Sequence, residues 1–169
     1  MSISREVLAK FIRPGCTFLE SGSRWGTTLI RAADCGAAHL WGCEWDGLLY
    51  GITNAMLEEV LAHSNASLSG FSLDNAEYWW RGMSGWGNDA AVFLDAHSET
   101  SSPILKELAA IASWGNSKPR VILIDDMRCM EGWGIQRQQV LDAIAKIGDY
   151  RISYEDGAVP ADILAAVRA

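Results

Sequence analysis

Short apolar runs alternate along this chain with segments of helical spacing, and this alternation limits the fold more than any other feature. Residues 90–94 (AAVFL) and 121–124 (VILI) are continuously apolar, as expected of strands that are covered on both faces. One helical pattern lies between them at 103–112, and another follows at 135–147. Strands that alternate with helices imply right-handed crossovers. We therefore predict an α/β fold, a Rossmann-like, doubly wound, mostly parallel sheet of six or seven strands with helices on both faces.

The first part of the chain follows the same order. An amphipathic N-terminal helix precedes a strand at 16–21 (CTFLES), a glycine loop at 22–26 and a helix that starts at Thr27 or Thr28 and stops at Gly36. A second strand at 39–43 then leads into a helix, whose apolar positions recur at intervals of three and four: Leu48, Leu49, Ile52, Met56, Leu57, Val60 and Leu61.

The remaining elements complete the sheet. We predict a third strand at 66–71, with Ser72 or Asp74 capping a helix that runs through the Trp-rich stretch 78–87. The chain closes with a strand at 150–154, a turn at 156–157 and a final strand or short helix at 162–167. We expect these last segments to form an antiparallel hairpin.

Length and charge narrow the classes of function. The 169 residues fit a single domain, residues 1–169, and the composition is that of a globular protein. The formal net charge is −7, and no run of Lys or Arg could follow a phosphate backbone, which argues against a nucleic-acid partner. The N-terminal apolar stretch is too short for a signal or a membrane span. We expect a cytoplasmic protein with no membrane partner.

Tryptophan is unusually frequent, with eight residues in the chain. Three of them lie in the stretch 78–87 (YWWRGMSGWG). Exposed aromatic side chains there would stack on a substrate or join a subunit interface, such as that of a homodimer.

A glycine loop and a downstream acid predict a nucleoside-binding site. Ligands of doubly wound sheets bind outside the carboxyl ends of the strands, where Gly22 and Gly26 let the backbone approach closely. Glu44 follows the loop by about 20 residues, the distance at which an acid accepts hydrogen bonds from ribose hydroxyls. Asp46 is the competing candidate. Trp45 would lie against an adenine ring or pack in the core.

A second cluster follows two further strands: Asp95, His97, Asp125 and Asp126. Three carboxylates repel one another unless a cation is present, so their convergence predicts a hard divalent metal, Mg²⁺. His97 would then act as a general base with an ordinary pKa near neutrality. Alternatively, Asp126 caps the next segment, Asp125 bonds to the glycine loop and His97 is a surface residue. Arg24 and Arg128 are further candidates for contacts with a substrate or a carboxylate.

These residues resemble the class I S-adenosylmethionine-dependent methyltransferases. Residues 18–26 (FLESGSRWG) are similar to the first motif of that class, and Glu44 to its ribose-binding acid. The resemblance implies that S-adenosylmethionine binds at one set of residues: Glu20, Gly22, Ser23, Arg24, Gly26, Thr27, Glu44, Trp45 and Ser72.

Within that class the chain is most similar to a small branch whose fourth and fifth strands end as 94–97 (LDAH) and 124–126 (IDD) do here. These endings also resemble those of the macrocin-type, metal-dependent O-methyltransferases. That likeness implies Mg²⁺ ligands at Asp95, Asp125 and Asp126, with His97 at the position of the base and Asp95 beside it in the catalytic site.

Three departures from the class are visible. Arg24 stands where many members have glycine, and Phe71 stands where the third strand often offers an acid near adenine. We also expect no lid or substrate domain. The expected activity is O-methylation of a small hydroxyl compound, such as a sugar or a catechol-like diol. The alternatives are another metal-dependent reaction, either hydroxylation or cofactor cleavage, and a non-catalytic regulatory or assembly module of the same fold.

Overall fold

A computed structural model describes residues 3–83 and 88–169. Its elements follow the predicted alternation, in the order α1 Arg5–Phe11, β1 Thr17–Ser21, α2 Thr27–Asp34, β2 His39–Glu44, α3 Gly47–Leu61, β3 Ser67–Leu73, α4 Ala76–Gly82, β4 Ala91–Leu94, α5 Ile104–Ala112, β5 Val121–Ile124, α6 Arg137–Ile147, β6 Tyr150–Glu155 and β7 Ile163–Arg168. Residues 84–87 of the Trp-rich stretch lie outside the described residues.

The strands form one seven-stranded sheet in the order β3-β2-β1-β4-β5-β7-β6. The first five strands run parallel, whereas β7 pairs antiparallel with both β5 and β6. The predicted fold class is therefore confirmed, with seven strands and a C-terminal antiparallel hairpin. The segment predicted as a strand or a short helix at 162–167 is the strand β7.

Helices cover both faces of the sheet. Side chains of α1, α2 and α3 pack with one face of the strands, around Leu8, Leu29 and Leu57. Side chains of α4, α5 and α6 pack with the other face. The strands β4 and β5 are buried along their whole length, which explains their continuously apolar sequences. Among the described residues, no helix has both the length and the apolar character needed to cross a membrane.

The third strand and its helix correct one prediction. The strand β3 runs on to Leu73, so Ser72 lies inside it and cannot cap the next helix. Asn75 is the N-cap of α4, because its side chain accepts the amide hydrogen of Glu77. The helix therefore begins after Asn75, rather than after Ser72 or Asp74.

The helix α3 is confirmed, but its apolar positions do not all face the core. Thr53, Leu57 and Leu61 are buried. Leu48 is 74% exposed, and Ile52 and Val60 are also largely exposed. The helix lies against β2 and β3 at the edge of the sheet, where only one side of it is covered.

Candidate functional site

The carboxyl ends of β1, β2, β4 and β5 surround a cavity of about 850 Å³. Parallel strands place their carboxyl ends at the same edge of a sheet, which is why residues distant in sequence meet there. The cavity is lined by nearly all of the predicted site residues: Glu20, Gly22, Ser23, Arg24, Thr27, Glu44, Trp45, Asp95, His97, Asp125 and Asp126. Gly26 and Ser72 are not among its lining residues.

Close packing within the protein explains why glycine stands at both loop positions, Gly22 and Gly26. Gly22 has a φ of +74°, and a Cβ there would lie 2.6 Å from the carbonyl oxygen of Asp95. Gly26 has a φ of +66°, and a Cβ there would meet the side chains of Leu57 and Thr53 on α3. The first glycine therefore allows the loop to touch the end of β4, and the second allows it to touch α3.

Glu44 connects the loops that follow β1 and β2. One carboxylate oxygen accepts the amide hydrogen of Arg24 at 2.9 Å, and the other accepts those of Trp45 and Asp46 at 2.9 and 3.0 Å. Asp46 caps α3 instead, because its side chain accepts the amide hydrogens of Leu48 and Leu49. Both acids line the cavity, but Glu44 joins the two loops whereas Asp46 holds the start of α3.

Trp45 is not a packed core residue. Its side chain is 71% exposed at the cavity wall, and Trp25, on the glycine loop, is 48% exposed at the same cavity. Both rings offer an apolar surface beside a polar cavity.

Arg24 has a left-handed backbone although it is not glycine, with a φ of +47°. Its amide donates to Glu44, and its carbonyl oxygen accepts a hydrogen bond from the Thr53 hydroxyl. Such a conformation costs about 1 kcal/mol for a residue with a Cβ. These two hydrogen bonds hold it in place.

Several carboxyl groups of the cavity are poorly hydrated. Burial raises the pKa of Glu20 to about 8, and repulsion from Glu44 and Asp125 adds to the effect. Burial also raises the pKa of Asp125 to about 6. The pKa of Asp95 lies well above its usual range, because of burial and then repulsion from Asp125, Glu20 and Asp126. A cation in this cavity would relieve all three groups.

His97 and Asp126 form a close pair. His97 Nε2 lies 3.1 Å from a carboxylate oxygen of Asp126, and its Nδ1 lies 3.1 Å from the carbonyl oxygen of Ser98. The ring also stacks on Trp133, with centroids 5.1 Å apart. The hydrogen bond to Asp126 raises the pKa of His97, and the same bond lowers the pKa of Asp126. The prediction of an unperturbed histidine was therefore wrong.

Arg128 contacts two acids. Its guanidinium lies 2.7 Å from Asp126 and also pairs with Asp162 at the start of β7. Arg128 lines the cavity, yet its charge is already shared between these two carboxylates. Asp162 was not among the predicted site residues, because no local pattern connects the start of the last strand to the end of β5.

Two groups of side chains have the spacing of metal ligands among the described residues. One is Asp95, His97 and Asp126, and the other is Asp125, Asp126 and Asp162. The predicted Mg²⁺ ligands Asp95 and Asp125 therefore fall into different groups, which share Asp126. In the second group, Asp126 and Asp162 already form ion pairs with Arg128.

A smaller cavity of about 310 Å³ adjoins the first, and Gly22, Trp45 and His97 line both. Asp74 and Asn75 line only the smaller one. Asp74 was not among the predicted site residues, because the third strand was expected to end at 71. A strand running to Leu73 ends directly in Asp74, as the other strands at this edge end in acids, and that pattern could have identified it.

The sequence matches no family model and no curated protein. Its structure is similar to that of magnesium protoporphyrin IX methyltransferase from Synechocystis PCC 6803 with bound S-adenosylmethionine, at 18% identity and a TM-score of 0.64, covering 97% of this chain and 77% of that chain. It is also similar to a precorrin-6y C5,15-methyltransferase from Geobacter metallireducens GS-15, at 12% identity and a TM-score of 0.66, covering 98% and 86%. A third similar structure is an rRNA methylase from Streptococcus thermophilus, at 13% identity and a TM-score of 0.61, covering 97% and 93%. The chain therefore has the Rossmann-like fold of these methyltransferases.

Proposed function

We propose that this protein is an S-adenosylmethionine-dependent methyltransferase that methylates a hydroxyl group of a small molecule. The observation that carries the proposal is the acidic cavity at the carboxyl ends of the parallel strands, with the pair of His97 and Asp126 on its wall. In sheets of this topology, ligands bind at that edge. The similar methyltransferase structures support the same class of reaction.

The lining residues fit the chemistry of the cofactor. S-adenosylmethionine carries a positive sulfonium and a positive ammonium group, and the buried carboxyls Glu20, Asp95 and Asp125 favour a cation. Glu44 has acceptor capacity for the ribose hydroxyls beyond its three amide bonds. Asp74, in the adjoining cavity, offers an acceptor for the amino group of adenine.

The protein groups then prepare the acceptor. When bound, S-adenosylmethionine supplies an electrophilic methyl group on its sulfonium. His97 in its neutral form removes the proton of the acceptor hydroxyl through Nε2. In that form Nδ1 donates to the carbonyl oxygen of Ser98, which orients the ring. Asp126 stabilises the imidazolium that results by accepting from Nε2, while Arg128 holds Asp126 in position. Asp95 lies 3.9 Å from the same Nε2 and completes the catalytic site.

We also propose that Mg²⁺ binds at Asp95, Asp125 and Asp126. A metal ion in this cavity would affect the role of His97. A bound divalent ion would lower the pKa of the acceptor hydroxyl. An ion in the group of Asp95, His97 and Asp126 would use Nε2 as a ligand, so His97 could not also be the base. With that group as the ligands, metal assistance and catalysis by His97 are alternatives, whereas an ion at Asp95, Asp125 and Asp126 leaves His97 to act as the base. Rates of the wild type and of His97→Gln, each measured with and without Mg²⁺, separate the two cases.

Binding of the cofactor is the first test. Calorimetric titration of S-adenosylmethionine should give saturable binding to the wild type, and Glu44→Gln should weaken it at least tenfold, on the order of 1.4 kcal/mol. Glutamine preserves the size of the side chain but has only one acceptor oxygen, so the ribose hydroxyls compete with the loop amides. Glu58→Gln on α3 is the matched control, because this exposed acid lies outside both cavities. Absence of binding to the wild type would refute the proposed function.

The pair of His97 and Asp126 predicts a pH dependence. Because His97 must be neutral to accept a proton and its pKa is raised, the rate should rise with pH through that pKa. In Asp126→Asn the pKa of His97 should fall, which moves the rise toward lower pH by about one unit. The same change should appear in an NMR titration of the imidazole, which needs no acceptor.

Glu99→Gln serves as the control for this titration, because Glu99 lines the cavity but is not among the groups that perturb His97. An unchanged titration of His97 in Asp126→Asn would contradict the assignment of the pair. If rates were also unchanged in His97→Gln, the non-catalytic alternative would replace this proposal.

A further inference from the structure

The aromatic ring of Trp133 contacts His97, the proposed base. The two rings are stacked, with centroids 5.1 Å apart and an angle of 26° between their planes. His97 lines both cavities, whereas Trp133 is not among the lining residues of either one. Trp133 therefore covers a part of the imidazole that faces neither cavity, and it is placed to act on a ligand only through His97.

The polar contacts of His97 do not by themselves fix the plane of its ring. Nε2 lies 3.1 Å from Asp126 and Nδ1 lies 3.1 Å from the carbonyl oxygen of Ser98, while the side chain is still 38% exposed. Both contacts act at the edge of the ring, because the ring nitrogens donate and accept in its plane. A ring held at its edge can still tilt, whereas a ring that is also stacked on its face loses that contact when it tilts. The stack on Trp133 therefore supplies the missing restraint.

Trp133 is itself held on several sides. It ends the short 3₁₀ helix Glu131–Trp133, where its amide donates to the carbonyl oxygen of Met130. Its ring packs against the core on the face of the sheet that α4, α5 and α6 cover. Its Nε1 donates to the carbonyl oxygen of Glu99 at 3.4 Å, in the loop that follows β4. The indole thus joins the segment after β5 to the loop that carries His97.

We propose that Trp133 is a positioning residue for His97, which fixes the plane of the imidazole so that Nε2 stays beside Asp126 at the cavity. A general base removes a proton only from within hydrogen-bond distance, so an imidazole that tilts away is inactive for that time. The inference rests on the proposed function only in treating His97 as the base. The contact between the two rings does not depend on it.

The mobility of the imidazole tests this positioning. NMR relaxation of the Cε1–H group of His97 is measured at a single pH in the full-length protein, without S-adenosylmethionine or acceptor. In the wild type the order parameter should be that of a rigid group, about 0.85, and in Trp133→Leu it should fall below about 0.6, a value typical of flexible groups. Leucine keeps an apolar side chain against the core but has no ring face. The exposed His63 gives a flexible reference in the same spectra.

Two further variants separate stacking from packing. Trp133→Phe retains an aromatic face and loses the Nε1 donor to Glu99, so it should keep the imidazole rigid. Tyr154→Leu is the matched control, because Tyr154 also packs against the same core but has its ring against Arg137. In this control the order parameter of His97 should equal that of the wild type. Such a result would show that removing an aromatic side chain from this core is not enough to release His97.

A rigid imidazole in Trp133→Leu would overturn the proposal, because the hydrogen bonds of His97 would then hold it alone. An equal loss of order in Trp133→Phe or in Tyr154→Leu would also overturn it, since stacking would not be the cause. If Trp133→Leu did not fold, the wild type would still decide. Nuclear Overhauser effects between the rings of Trp133 and His97 would support the stack, and a mobile imidazole without them would overturn it. Binding of S-adenosylmethionine is measured separately, so the failure of either proposal can be distinguished from that of the other.

Discussion

Gly22→Ala is expected to destabilise the protein by about 3 kcal/mol, from about 1 kcal/mol for a left-handed backbone and the remainder for overpacking. Gly22 has a φ of +74°, and an added Cβ would lie 2.6 Å from the carbonyl oxygen of Asp95 and 2.8 Å from Cα of Ala96. These neighbours are backbone atoms at the end of β4, so they cannot move without shifting the strand. Denaturant unfolding of both proteins measures the difference.

Gly15→Ala separates the two contributions. Gly15 has a similar φ of +83°, but no atom lies within 4 Å of the position of its Cβ. It should lose only about 1 kcal/mol, the backbone contribution. If the two variants lost equal stability, the contact between the glycine loop and β4 would not be close in solution. The Gly22 variant should also lose affinity for S-adenosylmethionine, because the displaced segment includes Asp95 and His97.

Glu107→Gln is expected to become more stable relative to the wild type as the pH rises. The difference in free energy of unfolding between the two proteins should increase by on the order of 2–3 kcal/mol from pH 5 to pH 8. Glu107 is fully buried on α5, and one of its oxygens accepts hydrogen bonds from Ser21 at 2.5 Å and Trp80 at 2.9 Å. The other oxygen has no partner among the described residues. Burial therefore raises the pKa of Glu107 to about 7.

The sign follows from proton binding. Between the unfolded pKa of 4.5 and the folded pKa of about 7, the folded protein binds more protons than the unfolded chain. Its stability therefore falls as pH rises through that interval and stays low above it. Glutamine has no proton to lose, so the difference in free energy of unfolding between variant and wild type should increase between pH 5 and pH 8. Unfolding curves measured at several pH values give this difference directly.

Glu77→Gln is the matched control on the adjacent helix, since Glu77 lies near the surface and pairs with Arg81 and Lys106. Its stability should run parallel to that of the wild type across the same interval. A parallel curve for Glu107→Gln as well would mean that Glu107 is solvated in the folded protein. The comparison with wild type also cancels the contributions of Glu20 and Asp125, whose pKa values are raised too.

The predictions that succeeded depend on patterns within single elements. Continuous apolar runs identified β4 and β5, and an acid at a strand end marked the edge where the cavity lies. The third strand shows where such patterns weaken. Its sequence SLSGFSL is half-exposed at the sheet edge, so hydrophobicity did not mark its end, and Asp74 was missed as a result.

The behaviour of individual site residues depended on contacts across the sequence. His97 was expected to titrate normally, yet it meets Asp126 from another strand end. Arg128 was a candidate for contacting a substrate or a carboxylate, and only the structure shows that it contacts the carboxylates of Asp126 and Asp162. A residue pattern can predict that such groups lie at the same edge of the sheet. The distances between them depend on loop conformations, such as the left-handed backbone of Asp126.

The sequence by itself determined the order of strands and helices, the parallel sheet with its closing hairpin, and the edge at which the acids gather. These follow from side-chain periodicity and from the handedness of strand connections, which are properties of the chain at short range. Only the tertiary structure decided which acids are buried, which cation each one meets and which side of α3 remains exposed. Burial and charge interaction depend on distances in space between residues far apart in the chain, and those distances exist only once the sheet has formed.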